Sequence, residues 1–323
     1  MREFRNILIV CDEGSAHENA FERVRSLARD PEVSVTLVDA IDCAPGQLSQ
    51  LLTGRTGETG AEVEAGVIAA HRERLEMLAD DLREHQVQVE CEVLMGRPVV
   101  EILRKVVRDQ HDLVIKGAQR SRARPLLSDP DIALSRRCSC PVWILNSPAE
   151  SRARRILAAV DPDPTEPERH ELNWQILEFA TALANEDDAW LDVLNAWRLP
   201  EESALRHGRA KVPEEVVERL VDTERRRSNW RLQRLTADFA GSCSQMRVLH
   251  VGGHAPDVIL DHVETDGIDT IVMGSIGRAG LPGLLLGNMS EKILKRVDCS
   301  VLTVKPRNFP VQLPGGGAEL RAP

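Results

Sequence analysis

The sequence lacks any apolar run long enough to span a bilayer, and no apolar segment follows a basic start at its N-terminus. It also lacks an excess of positive charge: 41 Lys and Arg stand against 51 Asp and Glu, which gives a formal net charge of −10. An acidic surface disfavours nucleic acid and anionic membranes as partners. We therefore expect a cytoplasmic protein that binds neither nucleic acid nor membrane.

The sequence also lacks the regular cysteine spacing of a disulfide framework or a zinc site. The seven cysteines are an odd number and lie scattered along the chain, and the one close pair is Cys138 and Cys140. No second Cys/His pair stands at zinc spacing beside them. Cys11, Cys91 and Cys299 lie in or beside predicted strands, so we expect reduced core residues and no metal site.

An internal repeat accounts for most of the 323 residues. Residues 154–161 repeat the apolar run and closing aspartate of residues 4–12, and residues 269–274 repeat residues 112–117. Within each copy, short apolar runs alternate with stretches of helical periodicity. This order predicts an α/β fold with a parallel sheet in each of two tandem domains.

The expected domain boundaries follow from composition. A polar linker, residues 147–155, separates the two copies, so we assign residues 1–148 to the first domain and 153–306 to the second. Residues 307–323 contain a triple glycine and prolines, and we expect a flexible tail there. Residues 45–59, rich in Gly, Gln and Thr, are predicted to be a loop.

Two long amphipathic helices, residues 63–85 and 214–239, are expected to cover the sheets. In the second of them we expect Trp230 and Leu235 to be core residues. The alternative for Trp230 is that its ring stacks on a ligand.

A glycine-rich loop joins a predicted strand to a predicted helix in the second copy. Gly274, Gly277 and Gly287 are spaced through this loop, and Arg278 adds a positive charge. Glycine lets a backbone approach a ligand closely, so a phosphate could sit between Gly274 and Gly277. The alternative is a loop that only turns the chain.

The helix after this loop begins at Asn288, Met289 and Ser290. Its first backbone N–H groups lack helical partners and attract anions. Asn288 can cap the helix, with Glu291 as its capping-box partner. No Gly-Lys-Ser/Thr opens the helix and no G-x-G-x-x-G precedes it, which excludes the Walker and Rossmann motifs.

The spacing Gly274-x2-Gly277-x9-Gly287, followed by a small polar residue, resembles the nucleotide loop of the universal stress protein family. The surrounding sequence IVMGSIGRAGLPGLLLGNMSEKIL is similar to that family almost residue by residue. The resemblance covers both copies. Asn288 stands where the family usually has Ser or Thr. The chain thus resembles a tandem universal stress protein.

The resemblance implies a doubly wound sheet of five strands in each domain, in the order 3-2-1-4-5. In such sheets the ligand lies beyond the carboxyl ends of strands one and four. The resemblance further implies that Asp161 and the main chain near Ala196 contact the base of ATP or a related nucleotide. No close cluster of Asp and Glu accompanies the loop, so Mg²⁺ would be held through phosphates and water. The alternative for Asp161 is a helix cap or turn residue.

The first copy departs from this motif. It keeps Gly117 but has Arg120, Arg122 and Arg124 in place of the later glycines. These arginines either hold an anion by their side chains or form a solvated basic loop. We expect nucleotide binding in the second copy alone.

No catalytic set of Ser, His and Asp can be placed in one crevice. Three functions stay open: a nucleotide-binding stress-response regulator, a slow ATPase using the same site, and a scaffold that binds another small molecule or a partner protein. Phosphate release separates the first two.

The last strand of each domain, residues 142–145 and 301–304, is an exposed edge in this fold. An apolar edge invites pairing. We therefore expect the two domains to pack as an intramolecular pseudo-dimer with pseudo-twofold symmetry, with a homodimer as a further option.

Overall fold

The computed structural model of the chain describes residues 4–12, 17–27, 32–52, 60–118, 127–146, 153–163, 166–208, 212–275, 288–306, 309, 311–312 and 319–320. These residues form two compact units. The first unit lies within residues 3–151, and the second within residues 152–306. The described residues after 306 cluster with the first unit.

The first unit alternates strands and helices. Its strands are β1 (Asn6–Val10), β2 (Ser34–Ile41), β3 (Gln88–Met95), β4 (Leu113–Gly117) and β5 (Val142–Leu145). Its helices are α1 (His17–Leu27), α2 (Gln47–Leu52), α3 (Gly60–Glu84), α4 (Pro98–Arg108) and α5 (Asp129–Arg137). Helix α4 begins at a proline because this residue needs no N–H partner in the first turn.

The second unit repeats the pattern. Its strands are β6 (Arg155–Ala159), β7 (Trp190–Trp197), β8 (Met246–Gly252), β9 (Thr270–Gly274) and β10 (Ser300–Val304). Its helices are α6 (Pro167–Asp187), α7 (Glu202–His207), α8 (Glu214–Ala237), α9 (Ala255–Asp266) and α10 (Asn288–Leu294). In the tail, β11 (Val311–Gln312) and β12 (Glu319–Leu320) form a short antiparallel ladder within the residues predicted to be flexible.

Each unit has a parallel sheet with the predicted strand order. In the first unit the order is β3-β2-β1-β4-β5, and in the second it is β8-β7-β6-β9-β10. Every ladder within these two sheets is parallel. The predicted α/β fold with order 3-2-1-4-5 is therefore confirmed, and it places the carboxyl ends of strands one and four side by side in each unit.

The central strands are buried on both faces. Residues 7–10 of β1 and residues 156–158 of β6 have no exposed surface. Such continuous apolar strands are typical of a sheet that helices cover on both sides. The core of each unit thus lies on either face of its sheet.

Two local predictions were wrong. Helix α2 lies inside the stretch predicted to be a loop. Trp230 is 54% exposed, whereas Leu235 is buried as predicted. The buried face of α8 runs through Ser228, Leu232 and Leu235, and Trp230 points away from this face, where Arg234 covers its ring at 5.5 Å.

The seven cysteines are all free thiols. Cys138 and Cys140 are buried with 3.4 Å between their sulfur atoms. Burial raises the pKa of the Cys11 and Cys299 thiols well above the usual range, and it raises that of the half-buried Cys91 to about 11. Among the described residues, no cluster of His, Cys, Asp and Glu could hold a metal ion.

His111, between α4 and β4, is expected to make the first unit sensitive to acid. Burial, helped by the Lys105 ammonium, lowers the pKa of this imidazole to about 4. The folded pKa lies below the unfolded value, so the stability that neutral His111 contributes is present above pH 6.5 and is lost as pH falls through 4. We expect a decrease of about 3 kcal/mol in the free energy of unfolding over this range.

Urea unfolding of the His111→Leu variant at pH 7 and pH 4 tests this expectation. The variant should lose less stability on acidification than the parent does. A His85→Leu variant is the control, since His85 is exposed at the end of α3. Equal acid sensitivity of the parent and the His111 variant would contradict the assignment.

Candidate functional site

A cavity of about 190 Å³ lies at the carboxyl ends of the second unit's strands. Its walls come from the ends of β6, β7 and β9 and from residues of α6, α9 and α10. This is the switch point of the sheet, where α/β proteins bind their ligands. We call this cavity and its lining the second-unit crevice.

Four residues singled out in the sequence line this crevice together. They are Asp161, Ala196, Gly274 and Ser290. Asp161 follows β6 and Gly274 ends β9, so strand order brings them together although they are 113 positions apart in sequence. Ala196 lies near the end of β7, and Ser290 lies in the first turn of α10.

Asp161 is held in place by Asn173, a buried residue of α6. The Asp161 backbone N–H donates to Asn173 Oδ1 at 2.7 Å, and Asn173 Nδ2 donates to the Asp161 carbonyl at 3.0 Å. Nδ2 also donates to the Arg169 carbonyl at 2.7 Å. Sequence reasoning missed Asn173, because its hydrogen-bond partners in this site are backbone groups, which leave no side-chain pattern in the sequence.

Gly274 and Ser290 join the two elements on the other side of the crevice. The Ser290 hydroxyl donates to the Gly274 carbonyl at 3.1 Å, which ties the start of α10 to the end of β9. A Cβ on Gly274 would lie 2.9 Å from Leu172 Cδ2 and 3.6 Å from Ile176 Cδ1. The glycine therefore lets α6 pack closely against the end of β9.

The remaining predicted ligand residues are only partly covered by the structure. Gly277, Arg278 and Gly287 lie outside the described residues. Asn288 and Met289 form the first turn of α10, as predicted, but only their backbone is described. Their roles toward a ligand stay predictions.

The interior of the second-unit crevice is mainly apolar. Side chains of Leu172, Ile176, Leu194, Ile259, Met273 and Ile293 contribute to its lining. Charged groups are Asp161, Glu166, Glu168 and Arg169, and Arg169 pairs with Glu166 at 2.9 Å. Such a cavity suits a flat apolar group that carries a few polar atoms at its edge.

The corresponding place in the first unit holds a buried ion cluster of Asp12, Lys116 and Asp131. The Lys116 ammonium lies 3.0 Å from Asp12 Oδ2 and 2.8 Å from Asp131 Oδ1. The side chain of Lys116 is 1% exposed and that of Asp131 is fully buried. We call these three residues the lysine cluster.

Local structure fixes the position of Asp131. Ser128 caps α5, and its backbone N–H and hydroxyl donate to Asp131 Oδ2 at 2.9 and 2.7 Å. The other carboxylate oxygen is left to face Lys116. Burial opposes the charge of Lys116, but the carboxylates of Asp131 and Asp12 outweigh it and raise the pKa of the ammonium above its ordinary value.

Arg120, Arg122 and Arg124 of the first unit lie outside the described residues. Whether they hold an anion therefore stays a prediction. Among the helices that the structure describes, none is long and apolar enough to cross a membrane.

The two units define a tandem doubly wound α/β protein, with an open crevice at the switch point of one unit and an ion cluster at that of the other. The sequence profile of the universal stress protein family matches residues 3–146 and 152–305. The chain therefore belongs to the universal stress protein family, as its glycine spacing indicates, and its role lies in the stress response.

Several known proteins similar to this chain share its tandem length. Universal stress protein E of Salmonella typhi is 26% identical over 321 residues, which cover 97% of this chain and 98% of that protein. A functionally unknown protein from Pseudomonas aeruginosa PAO1 has a solved structure with a TM-score of 0.69 and 21% identity, covering 95% of this chain and 94% of its own. A putative universal stress protein from Pseudomonas aeruginosa UCBPP-PA14 has a solved structure with a TM-score of 0.66 and 22% identity, covering 95% of each chain. These structures support the fold.

Proposed function

We propose that this stress-response protein binds ATP or a related nucleotide in the second-unit crevice and acts as a regulator rather than as a dedicated enzyme. The observation that carries the proposal is the convergence of Asp161, Ala196, Gly274 and Ser290 on one cavity. The glycine-loop motif selects Gly274 and Ser290, whereas the strand order and the family resemblance together select Asp161 and Ala196.

The chemistry of the lining supports a nucleoside moiety in the cavity. The apolar walls from Leu172, Ile176 and Met273 suit the faces of a base, while Asp161 offers a hydrogen-bond acceptor at the edge. The phosphates would extend toward Gly277, Gly287 and the first turn of α10. Mg²⁺ would be bound through those phosphates and water.

A second candidate function is the binding of a non-nucleotide ligand. The apolar share of the lining favours it, since six of the lining side chains are large hydrophobic groups. A slow ATPase is a variant of the first proposal that uses the same site. Mass spectrometry of the molecules released by denaturing freshly purified protein separates nucleotide from non-nucleotide ligands, and phosphate release separates ATPase from regulator.

The proposal predicts opposite outcomes for two substitutions, one in the glycine-rich loop of the second unit and one in the arginine-containing loop of the first. Gly277→Val adds a branched side chain where the phosphates would approach the backbone, so binding of labelled ATP should be lost. Arg120→Ala is the matched change in the first unit and should leave binding nearly unchanged. Titration of labelled ATP into the parent and both variants measures this.

The reverse pattern, with binding lost only in the Arg120 variant, would move the site to the first unit. A parent protein that binds no ATP and releases no nucleotide on denaturation would favour the non-nucleotide ligand.

A further inference from the structure

The two units share an aspartate at one of three equivalent positions and place different residues at the other two. In the β1–β4 ladder Val10 pairs with Lys116, and in the β6–β9 ladder the corresponding Ala159 pairs with Met273. Asp12 and Asp161 each follow the first strand of their unit. Asp131 and Ser290 each lie nine residues before the cysteine that precedes the last strand.

These three positions surround an open space in the second unit and meet in the first. Asp161, Met273 and Ser290 all line the second-unit crevice. Their counterparts Asp12, Lys116 and Asp131 are bonded to one another through the ammonium group of Lys116. The ammonium thus lies between the two carboxylates, at the place from which the second-unit residues face a cavity.

Replacing any single member would not reproduce the other arrangement. Met273 has no group that a carboxylate would bind, and the Ser290 hydroxyl donates to the Gly274 carbonyl instead. In the first unit, Lys116 needs both carboxylates because a buried ammonium without a partner is strongly disfavoured. Lysine and aspartate at these two positions therefore depend on each other.

We propose that Lys116, held by Asp12 and Asp131, fills the first unit's crevice and takes the place of a ligand there. Which unit binds a ligand is then decided by two positions, which hold Lys116 and Asp131 in the first unit and Met273 and Ser290 in the second. The chain accordingly takes one small-molecule ligand, in its second unit. The identity of that ligand rests on the proposed function, whereas the closing of the first crevice does not.

Exchange of the two residue pairs tests the proposal. The variant Lys116→Met with Asp131→Ser copies the second unit into the first, and the variant Met273→Lys with Ser290→Asp does the opposite. Adenosine is the suitable probe because the first unit lacks the later glycines that would approach phosphates. Equilibrium dialysis should give one site in the parent, two in the first variant and none in the second.

A probe that is not a nucleotide separates this proposal from the proposed function. N-phenyl-1-naphthylamine is a neutral apolar dye whose fluorescence rises in apolar cavities. If the parent binds no adenosine, the proposed function fails, and the same three proteins are titrated with the dye. One dye site in the parent, two in the first variant and none in the second would support the proposal that Lys116 fills the first crevice. An unchanged number of sites in both variants would overturn it.

Chemical labelling of lysines in the parent protein tests the proposal without any variant, and so it remains informative if a variant does not fold. The Lys116 side chain is 1% exposed, whereas that of Lys295 in the second unit is 54% exposed. Acetic anhydride should therefore acetylate Lys116 at least about a hundredfold more slowly than Lys295, because reaction needs local opening. Similar rates at the two lysines would show that the crevice is not closed.

Discussion

Replacing Asp131 with alanine is expected to destabilise the first unit by about 3–5 kcal/mol, because it removes one partner of a buried ion pair and leaves the other charge poorly compensated. Lys116 would keep Asp12, whose side chain is 20% exposed, as its one carboxylate in the lysine cluster. The capping box at the start of α5 would be broken as well. Urea unfolding at neutral pH measures the loss.

Two control variants define the cause of this loss. Asp129→Ala removes an exposed carboxylate from the same first turn of α5 and should cost less than about 1 kcal/mol. Lys116→Met combined with Asp131→Ser removes both charges and should recover most of the stability, since apolar replacement of a whole buried pair is often neutral. If Asp131→Ala costs no more than Asp129→Ala, the cluster does not stabilise the fold.

Gly274→Val is expected to lower the affinity of the second-unit crevice for the proposed nucleotide at least about tenfold, a loss of roughly 1.4 kcal/mol or more. The new side chain would meet Leu172 Cδ2 at 2.9 Å from its Cβ, and it would push Leu172 toward the cavity. Overpacking of this kind also costs about 1–3 kcal/mol of stability. Titration with labelled ATP, together with urea unfolding, separates the two effects.

The matched control is Gly66→Val on α3 of the first unit. A Cβ at Gly66 has no atom within 4 Å, so this variant should bind ATP as the parent does. Unchanged affinity in a folded Gly274→Val variant would show that the end of β9 does not contact the ligand.

The fold could be predicted from the sequence because its signals are local and occur twice. Runs such as residues 7–10 and 301–304 have the length and composition of strands buried on both faces, and the repeat supplies an independent second reading. Helix α2 was missed because its six residues carry too little periodicity to separate from a loop. Trp230 was wrongly predicted to be a core residue because a large aromatic side chain suggests burial. Ser228, Leu232 and Leu235 set the buried face of α8, and Trp230 lies off this face.

The candidate site could be predicted only where a motif marks it. Asp161, Ala196, Gly274 and Ser290 follow from the glycine spacing and the strand order. The lysine cluster does not, because Asp12 and Lys116 are 104 residues apart and a lysine near a strand end usually reaches solvent. Asn173 acts through backbone groups of Asp161 and Arg169, which no side-chain pattern records.

In both units, a glycine that no other residue could easily replace lies just before the helix that follows the third strand, α4 in the first unit and α9 in the second. Gly96 and Gly253 have φ angles of 133° and 151°, and their N–H groups donate to the carbonyls of Ile41 and Trp197 at 3.0 and 2.8 Å. A Cβ at either position would lie within 3 Å of a side chain of the following helix. Random mutagenesis should therefore find both glycines intolerant to substitution in the two halves alike, while Lys116 and Met273 tolerate different residues. Mutational tolerance would then separate the constraints that build the fold, which the halves share, from those that decide what each half binds.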